Sequence, residues 1–125
     1  MVEDQPEVLE LMVLALTHAG CEVEAAADGK EGMRRAENGC FDLISTDVDL
    51  PEMSGFEICS RLKQNPQLRH TPVVIVSGRS GDGDLQRGRE LGAADYITKP
   101  FVLRNLVSRL LSHVEFAAAS RKLPA

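Results

Sequence analysis

Residues 41–55 read FDLISTDVDLPEMSG. A nearly continuous apolar run, carried by Phe41, Leu43 and Ile44, stops at Thr46, and two aspartates follow it two positions apart, Asp47 and Asp49. A short apolar run without helical spacing reads as a strand buried on both faces, the kind found in parallel sheets. Pro51 and Gly55 then turn the chain into a helical stretch over 55–64, which Asn65-Pro66 ends. The fold depends on whether the flanking sequence repeats this order of strand, turn and helix.

It does so on both sides. Downstream, Val73, Val74, Ile75 and Val76 are four β-branched residues in a row, a buried strand. A weak helical pattern over 82–91, a short strand over 96–98 and an amphipathic helix over 102–116 follow. Upstream, Val8, Leu9, Met12, Val13 and Leu16 give helical spacing over 6–19, and Gly20 stops that helix. Residues 21–26 alternate and read as a strand, Asp28-Gly29 as a turn, and 30–37 as a short helix before Asn38-Gly39. Strands alternating with helices of this length predict an α/β, doubly wound parallel sheet of five strands with helices on both faces.

The first of those strands is the exception. Only Met1 and Val2 precede Glu3 in the sequence, where a central strand needs four to six apolar residues. The first strand therefore reads as truncated, with native apolar residues expected ahead of Met1. One domain is expected over 1–116, with AAASRKLPA at 117–125 as a C-terminal tail, a frayed helix end or the start of a linker.

The composition narrows the class of function. The chain has 125 residues, 43% hydrophobic and 26% charged, with a net charge of −5, which argues against direct nucleic-acid binding. No apolar run approaches the length of a membrane span. Cys21, Cys40 and Cys59 are odd in number and unpaired in spacing, so buried or half-buried free thiols in a reducing cytoplasm are expected. His18, His70 and His113 share no ligand spacing with one another or with a cysteine, so a zinc site is not expected.

Ligands of open parallel sheets bind beyond the carboxyl ends of the strands. Those ends carry Glu3 and Asp4, Asp47, Ser77 and Lys99, drawn from opposite ends of the chain. Carboxylates within ~4–5 Å repel by roughly 3–4 kcal/mol per pair at an effective dielectric near 20. One lysine does not balance three acids. Such a site holds a proton or a hard divalent cation with oxygen ligands, and magnesium suits an open site with few carboxylates. An aspartate beside a cation and a lysine is placed to accept a phosphoryl group.

Each residue alone has a plainer reading. Ser77 would be a helix cap, Tyr96 a core aromatic with a wet hydroxyl, Lys99 a surface lysine and Asp4 an N-cap. Two rival motifs fit the opening stretch less well. A calcium loop begun at Asp47 meets Pro51, Glu52 and Ile58 at its fifth, sixth and twelfth places, where it needs an acid or asparagine, a glycine and a glutamate. A haloacid-dehalogenase-like phosphatase also ends a strand with DxD, but it carries Thr or Val where this chain has Pro51.

Taken together, VEDQP at 2–6, TDVDLPEMSG at 46–55, VVIVSG at 73–78 and ADYITKPF at 94–101 resemble the receiver domain of bacterial two-component response regulators. The resemblance runs from Val2 to about His113 with every block in order. It implies the flavodoxin-like strand order 2-1-3-4-5 and a signalling role rather than metabolic turnover. Asp47 is then the phosphoacceptor, served by a sensor histidine kinase or a phosphotransfer protein. Asp4, Asp47 and the backbone carbonyl of Asp49 become magnesium ligands, with Glu3 acting through water. Lys99, on a cis bond to Pro100, contacts the phosphoryl oxygens. Ser77 hydrogen-bonds them, and Tyr96 is the aromatic that turns inward in response.

The resemblance also makes residues about 82–113 the face toward an output domain, a partner or a second copy. Five glycines between Gly78 and Gly92 suit a segment that reorders, and Arg87, Arg89, Arg104 and Arg109 are expected to decorate the face. Asp49 and Arg79 stand two residues beyond Asp47 and Ser77, and they are expected to face each other as a gate over the site. The alternative class is a protein-interaction module on the same fold that is never phosphorylated.

Overall fold

The computed structural model describes the backbone of residues 1–122 and the side chains of residues 1–115. Its elements run α1 (Pro6–His18), α2 (Gly29–Asn38), β1 (Ile44–Thr46), α3 (Gly55–Gln64), β2 (Val73–Ser77), α4 (Asp82–Glu90), β3 (Asp95–Thr98) and α5 (Leu103–Lys122). The helices start where the sequence supplies caps. Asp28 accepts from Glu31 N at 2.8 Å and Ser54 from Glu57 N at 3.2 Å, each satisfying an otherwise orphaned donor of a first turn. Pro6 opens α1, where its missing N–H costs nothing, and Gly20 leaves it at φ 97°.

β1, β2 and β3 form a parallel sheet in that order, with Ile44 beside Val73 and Val74 beside Asp95. Side chains of β2 alternate between two layers. Val74 and Val76 join Met12, Leu16, Leu106 and Leu110 under α1 and α5. Val73 joins Met33, Ile58 and Leu62 under α2 and α3, and Ile75 joins Val48 and Phe56. Helices thus cover both faces, as a run hydrophobic on both sides demands.

The expected five strands appear as three strands and two single bridges. Val2 bridges Ala26 on one side and Thr46 on the other, both in parallel, so the spatial order across the sheet is still 2-1-3-4-5. Val2 and its neighbours bond through Val2 N to Ser45 O, Asp47 N to Val2 O and Glu3 N to Ala26 O, at 2.8–3.0 Å. Residues 21–26 alternate as strands do, but one bridging residue gives them no ladder. Beside them an open groove of about 540 Å³ is lined by Leu16, Cys21, Val23, Leu43 and Leu110 among others.

Two smaller expectations change as well. Cys40 is exposed rather than covered, while Cys21 is half-buried and Cys59 buried. The last helix does not end at 116 but runs to Lys122, because Ala117, Ala118 and Ala119 are strong helix formers. The rest of the expected tail, 123–125, lies outside the described residues.

Candidate functional site

Every strand brings the residue at or just past its carboxyl end to one edge. Ser77 ends β2, Asp47 follows β1 directly, and Lys99 follows β3. Glu3 and Asp4 come from the bridging Val2. The turn after Asp47 is tight, with Gly55 N on Val48 O at 3.0 Å and Glu52 at φ 72°. A Cβ on Gly55 would lie 1.9 Å from the Asp47 carbonyl oxygen, so only glycine lets α3 begin this close to the acid.

One carboxylate oxygen each of Glu3, Asp4 and Asp47 lies within 4.8 Å of the others, with Glu3 and Asp47 buried and Asp4 half-exposed. Lys99 Nζ joins two of them, 2.6 Å from Glu3 Oε1 and 2.8 Å from Asp47 Oδ2, and reaches Gln5 Oε1 at 3.4 Å. Asp47 Oδ1 accepts from Val48 N at 2.6 Å and Asp49 N at 3.3 Å. Both its oxygens are therefore oriented by the fold. Glu3 Oε2 accepts from Gln5 N at 3.2 Å.

Burial raises the Glu3 carboxyl above its usual range, against the pull of Lys99 and the Gln5 N–H. Burial works to lower Lys99, yet its bonds to Asp47 and Glu3 outweigh it and the ammonium titrates higher than usual. Lys99 stays charged at neutral pH. One ammonium against three clustered acids leaves an excess of negative charge and of oxygen ligands, and that donor set fits a hard divalent cation.

Ser77 Oγ is fully buried and accepts from Arg79 N at 3.1 Å. The Lys99-Pro100 peptide is cis. The Tyr96 ring packs on Val48, Phe56 and Ile75, and its hydroxyl donates to the carbonyl of Arg79 at 2.7 Å. The Arg79 fork meets Asp49 through Nε at 3.0 Å and Nη2 at 2.7 Å, and this bond holds the Asp49 carboxyl below its usual range. The geometry thus gathers Glu3, Asp4, Asp47 and Lys99 into one cluster. Ser77, Tyr96, Arg79 and Asp49 form a second group beside it.

A family model for the response regulator receiver domain matches residues 1–111. The chain belongs to that family. Among curated relatives, the transcriptional regulatory protein TcrA of Mycobacterium tuberculosis is 40% identical over 110 residues, 88% of this chain and 43% of that protein. Response regulator ArlR of Staphylococcus aureus is 36% identical over 88% of this chain and 49% of its own length. The chain thus spans less than half of these two relatives. Among solved structures, a CheY-like receiver domain protein from Methanospirillum hungatei superposes with a TM-score of 0.88 at 27% identity, covering 95% of this chain and 94% of that one. The phosphorylated cyanobacterial phytochrome response regulator RcpA gives 0.80 at 29% identity, over 99% and 95%. The receiver domain is a phosphoacceptor signalling domain of two-component signal transduction, and that role holds for this chain.

Some of the site left no trace in the sequence. Gln5, which touches both Glu3 and Lys99, lies within the VEDQP block but has no role of its own there. Asp84 of α4 lies 3.8 Å from Arg79 Nη1, a contact that no pattern in the sequence marks. Of the arginines expected to decorate the face, Arg87 stacks on the Phe56 ring at 4.6 Å and Arg109 binds Asp95. Among the described residues, no helix is long and apolar enough to cross a membrane.

Proposed function

We propose that Asp47 is the phosphoacceptor of this receiver domain. The observation that carries the reading is the buried Asp47 carboxylate held between Lys99 and two further acids. A carboxylate oxygen of Asp47 attacks the phosphorus of a phosphohistidine on a sensor kinase or phosphotransfer protein. The P–N bond breaks, the imidazole leaves, and an acyl phosphate forms on Asp47. Hydrolysis of that bond by water returns the carboxylate and inorganic phosphate, so the domain catalyses only its own gain and loss of the group.

Asp4, Asp47 and the Asp49 carbonyl would hold magnesium, with Glu3 acting through bound water. When bound, the ion supplies positive charge to the phosphoryl oxygens. Lys99 swings its ammonium from the Asp47 carboxylate to a phosphoryl oxygen, and Ser77 donates its hydroxyl to another. Neutralising charge on the transferring oxygens is most of what such a reaction asks of a protein. Tyr96 and the face over 82–113 carry the response to an output domain, a partner protein or a second copy, in the cytoplasm.

The test is intact mass after incubation with magnesium and acetyl phosphate. The gain of one phosphoryl group, lost in Asp47→Asn and without magnesium, is the expected result. No gain in the wild type would make the domain an interaction module that works without phosphorylation.

A further inference from the structure

Arg79 meets four residues at once, two through its side chain and two through its main chain. Its guanidinium grips Asp49, with Nε 3.0 Å from each carboxylate oxygen and Nη2 2.7 Å from Oδ1, while Nη1 lies 3.8 Å from Asp84 at the start of α4. Its backbone carbonyl meanwhile accepts the Tyr96 hydroxyl at 2.7 Å, and its N–H donates to Ser77 Oγ at 3.1 Å. The loop between β2 and α4 is therefore pinned by its side chain to the mouth of the acid cluster and by its main chain to the tyrosine. The ring has its place prepared. A Cβ on Gly88 would stand 3.0 Å from Tyr96 Cδ2 and 3.2 Å from Ile75 Cδ1, so the glycine in α4 gives the ring its room.

We infer that Arg79 is a positioning residue: its ion pair with Asp49 holds the loop carbonyl over Tyr96 and keeps the tyrosine turned inward before any phosphoryl group arrives. The forked geometry makes the contact directional, which a single point charge would not achieve. Both side chains are exposed, 49% for Arg79 and 60% for Asp49, so the pair biases the tyrosine rather than locking it. An exposed pair of this kind shifts a two-state equilibrium by about two- to five-fold. The bond between Arg79 N and Ser77 Oγ connects the same loop to the acceptor site, so a serine drawn toward a phosphoryl group pulls on a loop already seated. The idea rests on the Asp47 reading only for that last consequence.

The chain contains one tyrosine and no tryptophan, so a ring probe reports Tyr96 alone. The experiment is fluorine NMR of the unphosphorylated full chain carrying 3-fluorotyrosine, in wild type, Asp49→Asn, Arg79→Ala and the double variant. The expected result is a fall of about two- to five-fold in the ratio of inward to released ring in each single variant, and no further fall in the double. High salt should lower the wild-type ratio in the same direction and leave the double variant unmoved. Asp49→Asn keeps the side-chain shape and Arg79→Lys keeps the charge while losing the fork, so either one reads the effect if Arg79→Ala folds poorly.

An unchanged ratio in the single variants, or losses that simply add in the double, overturns the proposal. Intact mass after acetyl phosphate, taken on the same samples, separates the two readings. Phosphoryl gain with an unmoved ratio removes the Arg79 role alone; a shifted ratio without phosphoryl gain removes the Asp47 role alone.

Discussion

From β1 to β3 the sheet is held by runs of three and four paired residues, whereas Val2 joins its two neighbours by one bridging pair on each side. The laddered half has Val73, Val74, Ile75 and Val76 almost wholly out of contact with solvent. The bridged half borders an open groove beside Cys21, Val23 and Leu43. The site straddles this boundary. Asp47, Ser77 and Lys99 hang from the laddered half, and Glu3 and Asp4 hang from the residue that carries the other half. The groups that would bind and receive the phosphoryl group are therefore set by well-packed strands. The acids that would bring the cation depend on a few backbone bonds.

The sharpest way to break this comparison is to truncate one side chain to alanine in each half. Ile75→Ala in β2 should destabilise the domain by about 2–5 kcal/mol, because a fully buried isoleucine leaves a cavity that close-packed neighbours fill poorly. Val23→Ala beside the groove should cost about 1 kcal/mol or less, since that side chain is only half-buried and packs on one side. Urea unfolding monitored by circular dichroism measures both. Equal losses would mean that the two halves are equally packed.

How much of this could be read beforehand follows the same boundary. The four β-branched residues of β2 are a local signal, and the structure bears it out, whereas Asp28, expected only as part of a turn, also caps α2 and Ser54 caps α3 with no such expectation. The alternation of strands and helices also marks the parallel sheet, while its strand order is what the family resemblance implies. The alternation over 21–26 was also real, yet alternation reports which side chains are covered and not whether the backbone has a partner. Pairing is a property of two segments, and here the second supplies one residue. The site divides likewise. Acids and a lysine at strand ends are visible as a pattern, while Gln5 reaching Lys99 and Tyr96 choosing the Arg79 carbonyl are set by distance alone.

Gly32 tests the boundary more finely. A Cβ at this position in α2 would lie 2.5 Å from Val2 Cγ2, so Gly32→Ala forces the bridging valine to move. Overpacking of this kind costs about 1–3 kcal/mol. The loss should be accompanied by weaker magnesium-dependent gain of a phosphoryl group from acetyl phosphate, because Glu3 and Asp4 follow Val2 directly. If stability falls while the magnesium dependence stays as in the wild type, Val2 does not control the acid pair.

The smallest effect belongs to the far edge of the laddered half, where β3 meets α5. Asp95 accepts from Arg109 Nε at 3.1 Å, contacts His113 Nε2 at 3.1 Å and accepts from Tyr96 N at 2.8 Å. Burial pushes the Asp95 carboxyl up, but the bonds from Arg109, His113 and the backbone outweigh it, and the group titrates below the usual carboxylate range. A carboxyl whose folded value is depressed contributes stability that is present above its unfolded value and is lost as the pH falls through the folded one. With Arg109 half-exposed, Asp95→Asn should cost only ~1 kcal/mol near neutral pH, or about 4 °C in melting temperature. Thermal melts of the two proteins should converge as the pH falls from about 4, the unfolded carboxylate value, through the depressed folded one, where the native carboxylate takes up its proton. A gap that stays constant down to acid pH would mean that Asp95 works through its shape and neutral hydrogen bonds, and that charge does not hold α5 to the sheet.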